Sequence, residues 1–468
     1  MAVTSVDIHV TDEPALAEHA RDFAAELKES LPKDFVFGTA TSAYQIEGAV
    51  REDGRSESIW DRFCAVPGAV FNGDSGEIAC DHYHRYPEDI AIIQAMGLRA
   101  YRFSIAWPRI IPNGDGVVNE RGLDFYDRLV DSLLHVGVQP YVTLFHWDLP
   151  QALQDRGGWY SRDTAVVFGD YARVVVDRLG DRVRHWITHN EPWCSSWLGH
   201  GYGVHAPGLK DGDAGAVKAA HHILLSHGYA MEAIRAAAPE ADAGITIDLY
   251  PMFPLHDSEA DRGAARRADG QRNRWFLDPV LRGSYPEDMT ALLELLPDSA
   301  QDDLPRIGAP IDFLGVNYYE RQVIRSGPHG EPLQAPKEGP WADNGREIFP
   351  DGLRVTVKRL HEDYPIKKLY VTENGIGYHD VIGPDGRIHD SHRTQFLEQH
   401  LRAVAAACRE DAPVSGYFAW SLMDNFEWSK GYDERERYGL VYVDRSSLER
   451  IPKSSGEWYG EVVRSFRS

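Results

Sequence analysis

Two glutamates stand directly after short apolar runs of the sequence, and each is followed by residues that turn the chain. Glu191 lies in the segment THNEP at 188–192, and Glu373 lies in VTENG at 371–375. Two carboxyl groups facing one cavity are what glycoside hydrolysis requires, one as acid and the other as nucleophile or base. A single glutamate of this kind is more often the partner of a structural arginine, so the hypothesis rests on the pair.

These groups need a scaffold that brings distant segments together, and the sequence offers eight candidate strands with helical segments between them. The strands are 35–39, 100–105, 140–145, 184–189, 243–249, 312–316, 368–372 and 415–420, and apolar residues recur with helical spacing in 86–96, 122–135, 164–179 and 217–237. This alternation predicts an α/β fold, a single-domain (β/α)8 TIM barrel with its active site at the C-terminal ends of the strands. An open doubly wound sheet is the alternative, but it requires a glycine-rich phosphate turn, and FGTAT at 37–41 is not one.

Polar or aromatic residues follow seven of the eight candidate strands, where a barrel would bring them to one mouth. For any one residue, capping or turn formation is the default interpretation, but the set predicts a site. Its members are Gln45, Arg102, His146, Asn190 with Glu191, Asn317 with Tyr319, Glu373 and Trp420.

The chain divides by pattern into an N-terminal helical extension at 1–30 and a barrel at 31–468. Residues 12–30 are expected to form a polar helix with Leu16, Ala20, Phe23, Ala24 and Leu27 on one face. The segments 257–271 and 327–345 are expected to be surface loops, because the first is charged without periodicity and the second is rich in proline and glycine.

Composition restricts the partners and the compartment. The 468 residues carry a formal net charge of −23, which disfavours nucleic acid and anionic membrane surfaces. Residues 1–10 do not resemble a signal peptide, and no apolar run is long enough to span a bilayer, so a cytoplasmic protein is expected. The four cysteines match no zinc or redox spacing and are expected to be free thiols, Cys194 near the active site. We expect neither a metal ion nor a cofactor, and a homo-oligomer is left open.

Seven ordered segments together resemble glycoside hydrolase family 1, the β-glucosidase family of (β/α)8 barrels. They are FGTATSAYQIEG at 37–48, YRFSIAW at 101–107, HWDLP at 146–150, THNEP at 188–192, NYY at 317–319, VTENG at 371–375 and WSLMDNFEW at 420–428. Each segment is moderately specific, whereas the ordered set is very specific and covers more than nine-tenths of the chain.

The resemblance implies a role for each matching residue. Glu191 is the acid/base and Glu373 the nucleophile, with Arg102 beside it and Tyr319 donating to it. The hydroxyl groups of the non-reducing sugar are bound by Gln45, His146, Asn190, Glu427 and Trp428. Trp420 forms an apolar platform under that sugar, and Asn317 shapes the same region.

The implied function is that of a retaining β-glucosidase. Its substrates would be small β-glucosides and cello-oligosaccharides, with glucose as product and with some β-fucosidase or β-galactosidase activity. A phospho-glycosidase of the same fold is disfavoured, because Glu427 would repel a sugar 6-phosphate, although Lys430 keeps it as a minor alternative. A non-catalytic sugar-binding relative and a thioglucosidase are disfavoured because both glutamates are present. An apparent two-residue insertion within 433–436 departs from the family pattern and leaves the shape of the rim open.

Overall fold

The computed structural model describes residues 13–468, and its central feature is a closed barrel of eight parallel strands. Each strand pairs with the next one along the chain, and the last pairs with the first, which closes the ring. The predicted (β/α)8 barrel is therefore confirmed, and each candidate strand forms with ends shifted by at most two residues. The strands, labelled β1 to β8 in chain order, are Val36–Ala40, Ala100–Ser104, Gln139–Phe145, His185–Asn190, Asp242–Asp248, Phe313–Asn317, Leu369–Asn374 and Val414–Trp420.

Aromatic side chains fill the interior of the barrel below the strand ends. Tyr141 on β3 contacts Phe418 on β8 and Tyr370 on β7, at ring-centroid distances of 4.8 and 5.5 Å. Contacts between strands that are not neighbours are made across the lumen, so the barrel is a packed core. Gly38 on β1 is required there, because a Cβ atom would lie 2.5 Å from the ring of Phe418. A substrate is thus expected to bind at the mouth above this layer and not within the lumen.

Helices surround the barrel and bury one apolar face each. Glu120–His135 is typical, since Leu123, Leu129 and Val130 on one side are buried as their spacing predicts. The four predicted helices all form, although each begins two to five residues earlier than expected. The helices of eight residues or more are Glu13–Lys28, His82–Ala95, Glu120–His135, Arg162–Leu179, Gly212–Ala237, Glu259–Asp269, Trp275–Arg282, Ala300–Ile307, Pro350–Asp363, Ser391–Arg409 and Ser454–Arg467.

Short elements line the mouth and the outer loops. Single-turn α-helices lie at Ala43–Ile46, Ile59–Cys64, Trp107–Ile110, Gln151–Gln154 and Thr290–Leu293, and π-helical turns at Cys194–Gly201 and Gly270–Arg274. Three-residue 3₁₀ turns include Trp428–Lys430 and Glu434–Glu436, and small sheets are formed by Met252–Pro254, Gln322–Ser326 and Pro332–Gln334 and by Val441–Val443 with Arg450–Pro452. In the part of the chain that the structure describes, no helix combines the length and the apolar character needed to cross a membrane.

The N-terminal helix Glu13–Lys28 packs against the C-terminal helix Ser454–Arg467. Phe23 stacks on Trp458 with ring centroids 5.4 Å apart, and Ala20, Ala24 and Leu27 are fully buried, as their spacing predicts. Residues 1–12, which include the first predicted residue of this helix and the segment inspected for a signal peptide, lie outside the described residues. The division of the chain at residue 30 stays a prediction.

The expectation of a loop at 257–271 is wrong. Ser258 accepts a hydrogen bond from the backbone N–H of Asp261 and caps the helix Glu259–Asp269. Ala264 and Ala265 pack against Ile324, so two alanines provide the buried face. A charged helix with such a small apolar face has little periodic signal, which is why its sequence resembled a loop. The segment 327–345 is largely irregular, as expected, apart from the strand Pro332–Gln334.

Candidate active site

The C-terminal ends of the strands enclose a cavity of about 210 Å³. Its wall combines carboxyl groups, arginines and aromatic rings, as a site for a neutral polar ligand requires. Cys194, expected near the active site, lines it, as do seven residues that the sequence did not single out: Trp147, Trp193, Asp248, Tyr250, Arg272, Arg346 and Glu436. Predicted residues in the wall are His146, Glu191, Tyr319, Glu373, Trp420, Glu427 and Trp428.

Glu373 on β7 is held by one hydrogen bond to each carboxylate oxygen. Arg102 donates from Nη1 to Oε1 at 2.6 Å, and the hydroxyl of Tyr319 donates to Oε2 at 2.6 Å. Burial raises the pKa of Glu373, and the Arg102 guanidinium and the Tyr319 hydroxyl oppose that effect. Both contacts stabilise the ionised carboxylate and fix its orientation.

Arg102 lies inside β2. The sequence argument counted it among the residues at the strand ends, although the predicted strand 100–105 contains it. Its side chain is almost fully buried, and its second amino group donates to Oδ1 of Asn190 at 2.6 Å. Because Oδ1 of Asn190 accepts this bond and one from Asn317, its Nδ2 faces Nε2 of His146 at 3.1 Å. Burial, with Arg102 nearby, holds the pKa of His146 well below its usual value, so the ring is neutral.

Glu191 follows the last residue of β4 and leaves the strand through a left-handed turn with φ of +48°. Its N–H still donates to the carbonyl of Thr246 on β5. Oε1 accepts from Nδ2 of Asn317 at 2.7 Å, and Oε2 accepts from the thiol of Cys194 at 3.2 Å. Neither partner is a cation. Burial first, then the charges of Asp248 and Glu373, raise the pKa of Glu191 well above its usual value.

Gln45 and Glu427 lie together at one side of the mouth. Nε2 of Gln45 donates to the carbonyl of Phe426 at 2.7 Å and approaches Oε2 of Glu427 at 3.4 Å. Burial, with Glu436 and Glu373 as nearby charges, raises the pKa of Glu427 to about 8 against the opposing charge of Arg346. Glu427 therefore keeps its proton at neutral pH, so its repulsion of a phosphate is weaker there than the sequence argument assumed.

Three stacked rings line one part of the cavity. His146 stacks between Trp420, the last residue of β8, and Trp428, with centroid distances of 5.9 and 5.8 Å. Trp428 also packs on Trp147 at 4.4 Å and on Trp60 at 4.6 Å. Trp428 thus packs on two tryptophans that the site argument did not include, whereas Trp420 stacks on His146, which it did include.

The most informative missed residue is Asp248. The sequence interpretation extended β5 to Leu249 and left this strand end without a polar group, whereas β5 ends at Asp248. All eight strand ends therefore carry polar or aromatic groups. Glu436, in the insertion, forms a 3₁₀ turn with Glu434 and reaches the cavity wall, where Nδ2 of Asn344 donates to it at 3.2 Å. Only the departure from the family pattern signalled that residue.

Comparisons with known proteins agree with this geometry. The sequence model described as glycosyl hydrolase family 1 matches residues 27–467. β-Glucosidase A of Thermotoga maritima is 44% identical over 93% of this chain and 98% of its own length. A bifunctional β-D-glucosidase/β-D-fucosidase of Bifidobacterium breve is 46% identical, with coverage of 92% and 98%. The structure of the family 1 β-glucosidase of Thermotoga maritima in complex with isofagomine lactam superposes with a TM-score of 0.91 at 44% identity, covering 93% of this chain and 99% of that one.

Proposed function

The chain belongs to glycosyl hydrolase family 1 and is a glycoside hydrolase, and from that premise we propose that it is a retaining β-glucosidase. Its substrates are small β-glucosides and cello-oligosaccharides, from which it removes the terminal non-reducing β-D-glucosyl residue. The observation that carries this proposal is the unequal environment of the two carboxyl groups. Glu373 is bound by a guanidinium and a phenol, whereas Glu191 has no cationic partner.

The different environments of Glu373 and Glu191 support the following roles in a double displacement. Ionised Glu373 attacks the anomeric carbon while Glu191 gives its proton to the glycosidic oxygen, and the aglycone leaves as an alcohol. The glycosyl-enzyme ester has lost the negative charge of Glu373, so Glu191 releases a proton more readily than before. Glu191 then takes a proton from water, the water attacks the anomeric carbon, and the β-configured sugar leaves as Glu373 is restored.

The sugar is bound by groups on the other walls of the cavity. Trp420 provides the apolar surface beneath the ring, and His146 and Asn190 supply oriented polar atoms. Gln45, Glu427 and Trp428 bind the hydroxyl groups farthest from the scissile bond, with Glu427 as donor or acceptor according to its protonation. The named activity of the Bifidobacterium breve relative supports some β-fucosidase activity beside the β-glucosidase, and β-galactosidase activity is proposed on the same pocket.

A phospho-glycosidase is the second candidate, because Lys430 lies in the wall of the cavity beside Glu427. Two observations disfavour it. Glu436 adds a carboxyl group to this wall, so a bound phosphate would face acids as well as Lys430. A bound phosphate needs donors that replace its lost water, and the two carboxyl groups offer few.

The proposal is tested with a panel of nitrophenyl β-glycosides and with NMR of the product. We expect nitrophenyl β-glucoside to be hydrolysed and the first glucose released to be the β-anomer. Nitrophenyl α-glucoside is the matched control and should not be turned over. Release of α-glucose as the first product from the β-substrate would contradict the retaining mechanism, and no turnover of the β-glucoside would contradict the function.

A further inference from the structure

A third carboxyl group lies beside the two that the mechanism uses. One carboxylate oxygen each of Asp248 and Glu191 and the sulfur of Cys194 lie within 4.8 Å of one another. The thiol links the two acids, 3.2 Å from Oε2 of Glu191 and 3.8 Å from Oδ2 of Asp248. Asp248 is only 2% exposed, and its other oxygen has no hydrogen-bond partner among the described residues although the residue lines the cavity. This carboxyl group has no role in the double displacement.

Asp248 and Glu191 differ in their counter-ions. Nη2 of Arg272 donates to Oδ2 of Asp248, and the guanidinium is fixed between two rings, 3.5 Å from the centroid of Trp193 and 4.5 Å from that of Tyr250. Glu191 receives only an amide and a thiol. Two buried carboxyl groups at this separation do not both ionise readily. Burial raises the pKa of both acids, but only at Asp248 does a guanidinium oppose that effect, so the proton stays on Glu191 and the negative charge stays on Asp248.

We propose that Asp248, with Arg272 as its counter-ion, is a positioning residue for the acid/base, whose fixed negative charge holds the proton on Glu191. This inference rests on the proposed function of Glu191. The charge of Asp248 differs from that of Glu373 in one respect. Glu373 loses its charge when the glycosyl-enzyme forms, whereas Asp248 keeps its charge through the whole cycle. Asp248 therefore favours the acid step and opposes proton uptake by Glu191 in the water step.

The other groups that face Glu191 do not replace this charge. Glu373 on β7 also raises the pKa of Glu191, but its charge is lost when the glycosyl-enzyme forms. Burial raises the pKa values of the Cys194 thiol and the Tyr319 hydroxyl well above their usual values, so both are neutral at neutral pH. Asp248 also stands before Glu373 among the charges that raise the pKa of Glu191.

The test is the pH profile of kcat/KM for nitrophenyl β-glucoside. Asp248→Asn removes the negative charge and leaves Arg272 unbalanced, so we expect the alkaline limb to move down by about 1 pH unit or more. In the double variant Asp248→Asn/Arg272→Gln both charges are gone, and the downward shift should be smaller than in the single variant. Asp248→Glu keeps the charge and should leave the limb closer to that of the wild type, even where kcat falls.

Asp303→Asn is the matched control, because Asp303 is also a buried aspartate paired with an arginine, Arg162, but lies outside the cavity wall. The Asp303→Asn variant should change the melting temperature and leave both limbs of the pH profile of kcat/KM in place. An unmoved alkaline limb in folded, active Asp248→Asn, or equal shifts in the single and double variants, would overturn the inference while the proposed function stands. Failure of the wild-type enzyme to cleave the glucoside would instead overturn both.

Discussion

Asn317 at the end of β6 donates its amide to Oε1 of Glu191 at 2.7 Å, while its carbonyl oxygen accepts from the Thr372 hydroxyl at 2.8 Å. The second bond fixes which end of the amide faces the acid. The donor favours the ionised form of Glu191 and so lowers its pKa against the burial and the neighbouring charges that raise it. Glu191 is thus held between two donors, Asn317 and the Cys194 thiol, that stabilise its anion and two carboxylates that oppose it.

Asn317→Ala should move the alkaline limb of kcat/KM upward, because Glu191 loses a hydrogen bond that favours ionisation. We also expect kcat/KM at neutral pH to fall by about 10- to 100-fold, the usual cost of losing a hydrogen bond to a charged group. The measurement is the pH profile with nitrophenyl β-glucoside. A downward shift of the limb would show that the amide does not act on Glu191 as described.

Glu373→Ala should abolish hydrolysis, with a loss of roughly 10⁴-fold or more, while the fold is kept. The side chain is almost fully buried at a strand end, so truncation opens a small space at the anomeric carbon. Added azide should fill it, restore turnover of activated aryl glucosides and give the inverted α-glucosyl azide, identified by NMR. Near-wild-type activity without azide would rule out Glu373 as nucleophile.

Glu191→Gln should impair substrates in proportion to how much their leaving group needs a proton. In the glycosylation step we expect cellobiose to lose about 10²- to 10⁴-fold and dinitrophenyl β-glucoside far less. Pre-steady-state measurements on both substrates separate this step from hydrolysis of the intermediate. Equal losses for the two substrates would count against the acid role.

The preference for a free glucoside over its 6-phosphate should grow with pH. Glu427 has a pKa of about 8, so it becomes charged between pH 7 and 9, while the phosphate, with a second pKa near 6, is already a dianion. We expect a preference of at least about tenfold at pH 7, rising toward pH 9 as like charges face each other. The ionisation of Glu191 affects both substrates alike, so it cancels in the ratio of their kcat/KM values at each pH. Glu427→Ser is the control, and its ratio should be smaller and flat with pH.

Asp148→Asn should stabilise the protein at alkaline pH. The carboxyl group is 1% exposed, neither oxygen accepts a hydrogen bond from another residue, and burial raises its pKa to about 8. An unfolded aspartate has a pKa near 3.9. Its contribution to stability is therefore fully present below about pH 4 and is lost as the pH rises through 8.

Asparagine has no such dependence, so the variant should gain on the order of 4 kcal/mol relative to the wild type between pH 5 and pH 9. Denaturant unfolding at both pH values measures the difference. A gain that is the same at pH 5 and pH 9 would mean that the carboxyl group is not protonated in the folded state.

The barrel was predictable from the sequence because each strand is an apolar run followed by a turn. The site was predictable where motifs stand at those ends, as with Glu191 and Glu373. Asp248 was missed because a one-residue error at the end of β5 placed it inside the strand. Arg272 could not be assigned, because it lies in a π-helical turn after a helix that was itself interpreted as a loop.

The electrostatics of the site were predictable only in part. Two carboxyl groups facing one cavity imply that the charge of Glu373 raises the pKa of Glu191, which it does, but burial and the charge of Asp248 have larger effects. Burial first, and then the charge of Glu436, raise the pKa of Glu427. The distance between the two carboxyl groups depends on the conformation of the inserted turn. Such effects depend on distances between side chains that are remote in sequence, and no local pattern encodes them.

The packing of Phe23 on Trp458 has a consequence for the order in which the molecule is assembled. The helix Glu13–Lys28 is synthesised before the eight strands, whereas its partner Ser454–Arg467 is synthesised after them, and β1 likewise waits for β8. At typical synthesis rates of about 5–20 residues per second, that interval is on the order of tens of seconds. During that time the apolar face of the N-terminal helix has no native partner on Ser454–Arg467. Closure of the barrel is therefore expected only after β8 has left the ribosome, and the nascent chain is where chaperone binding to this face would be found.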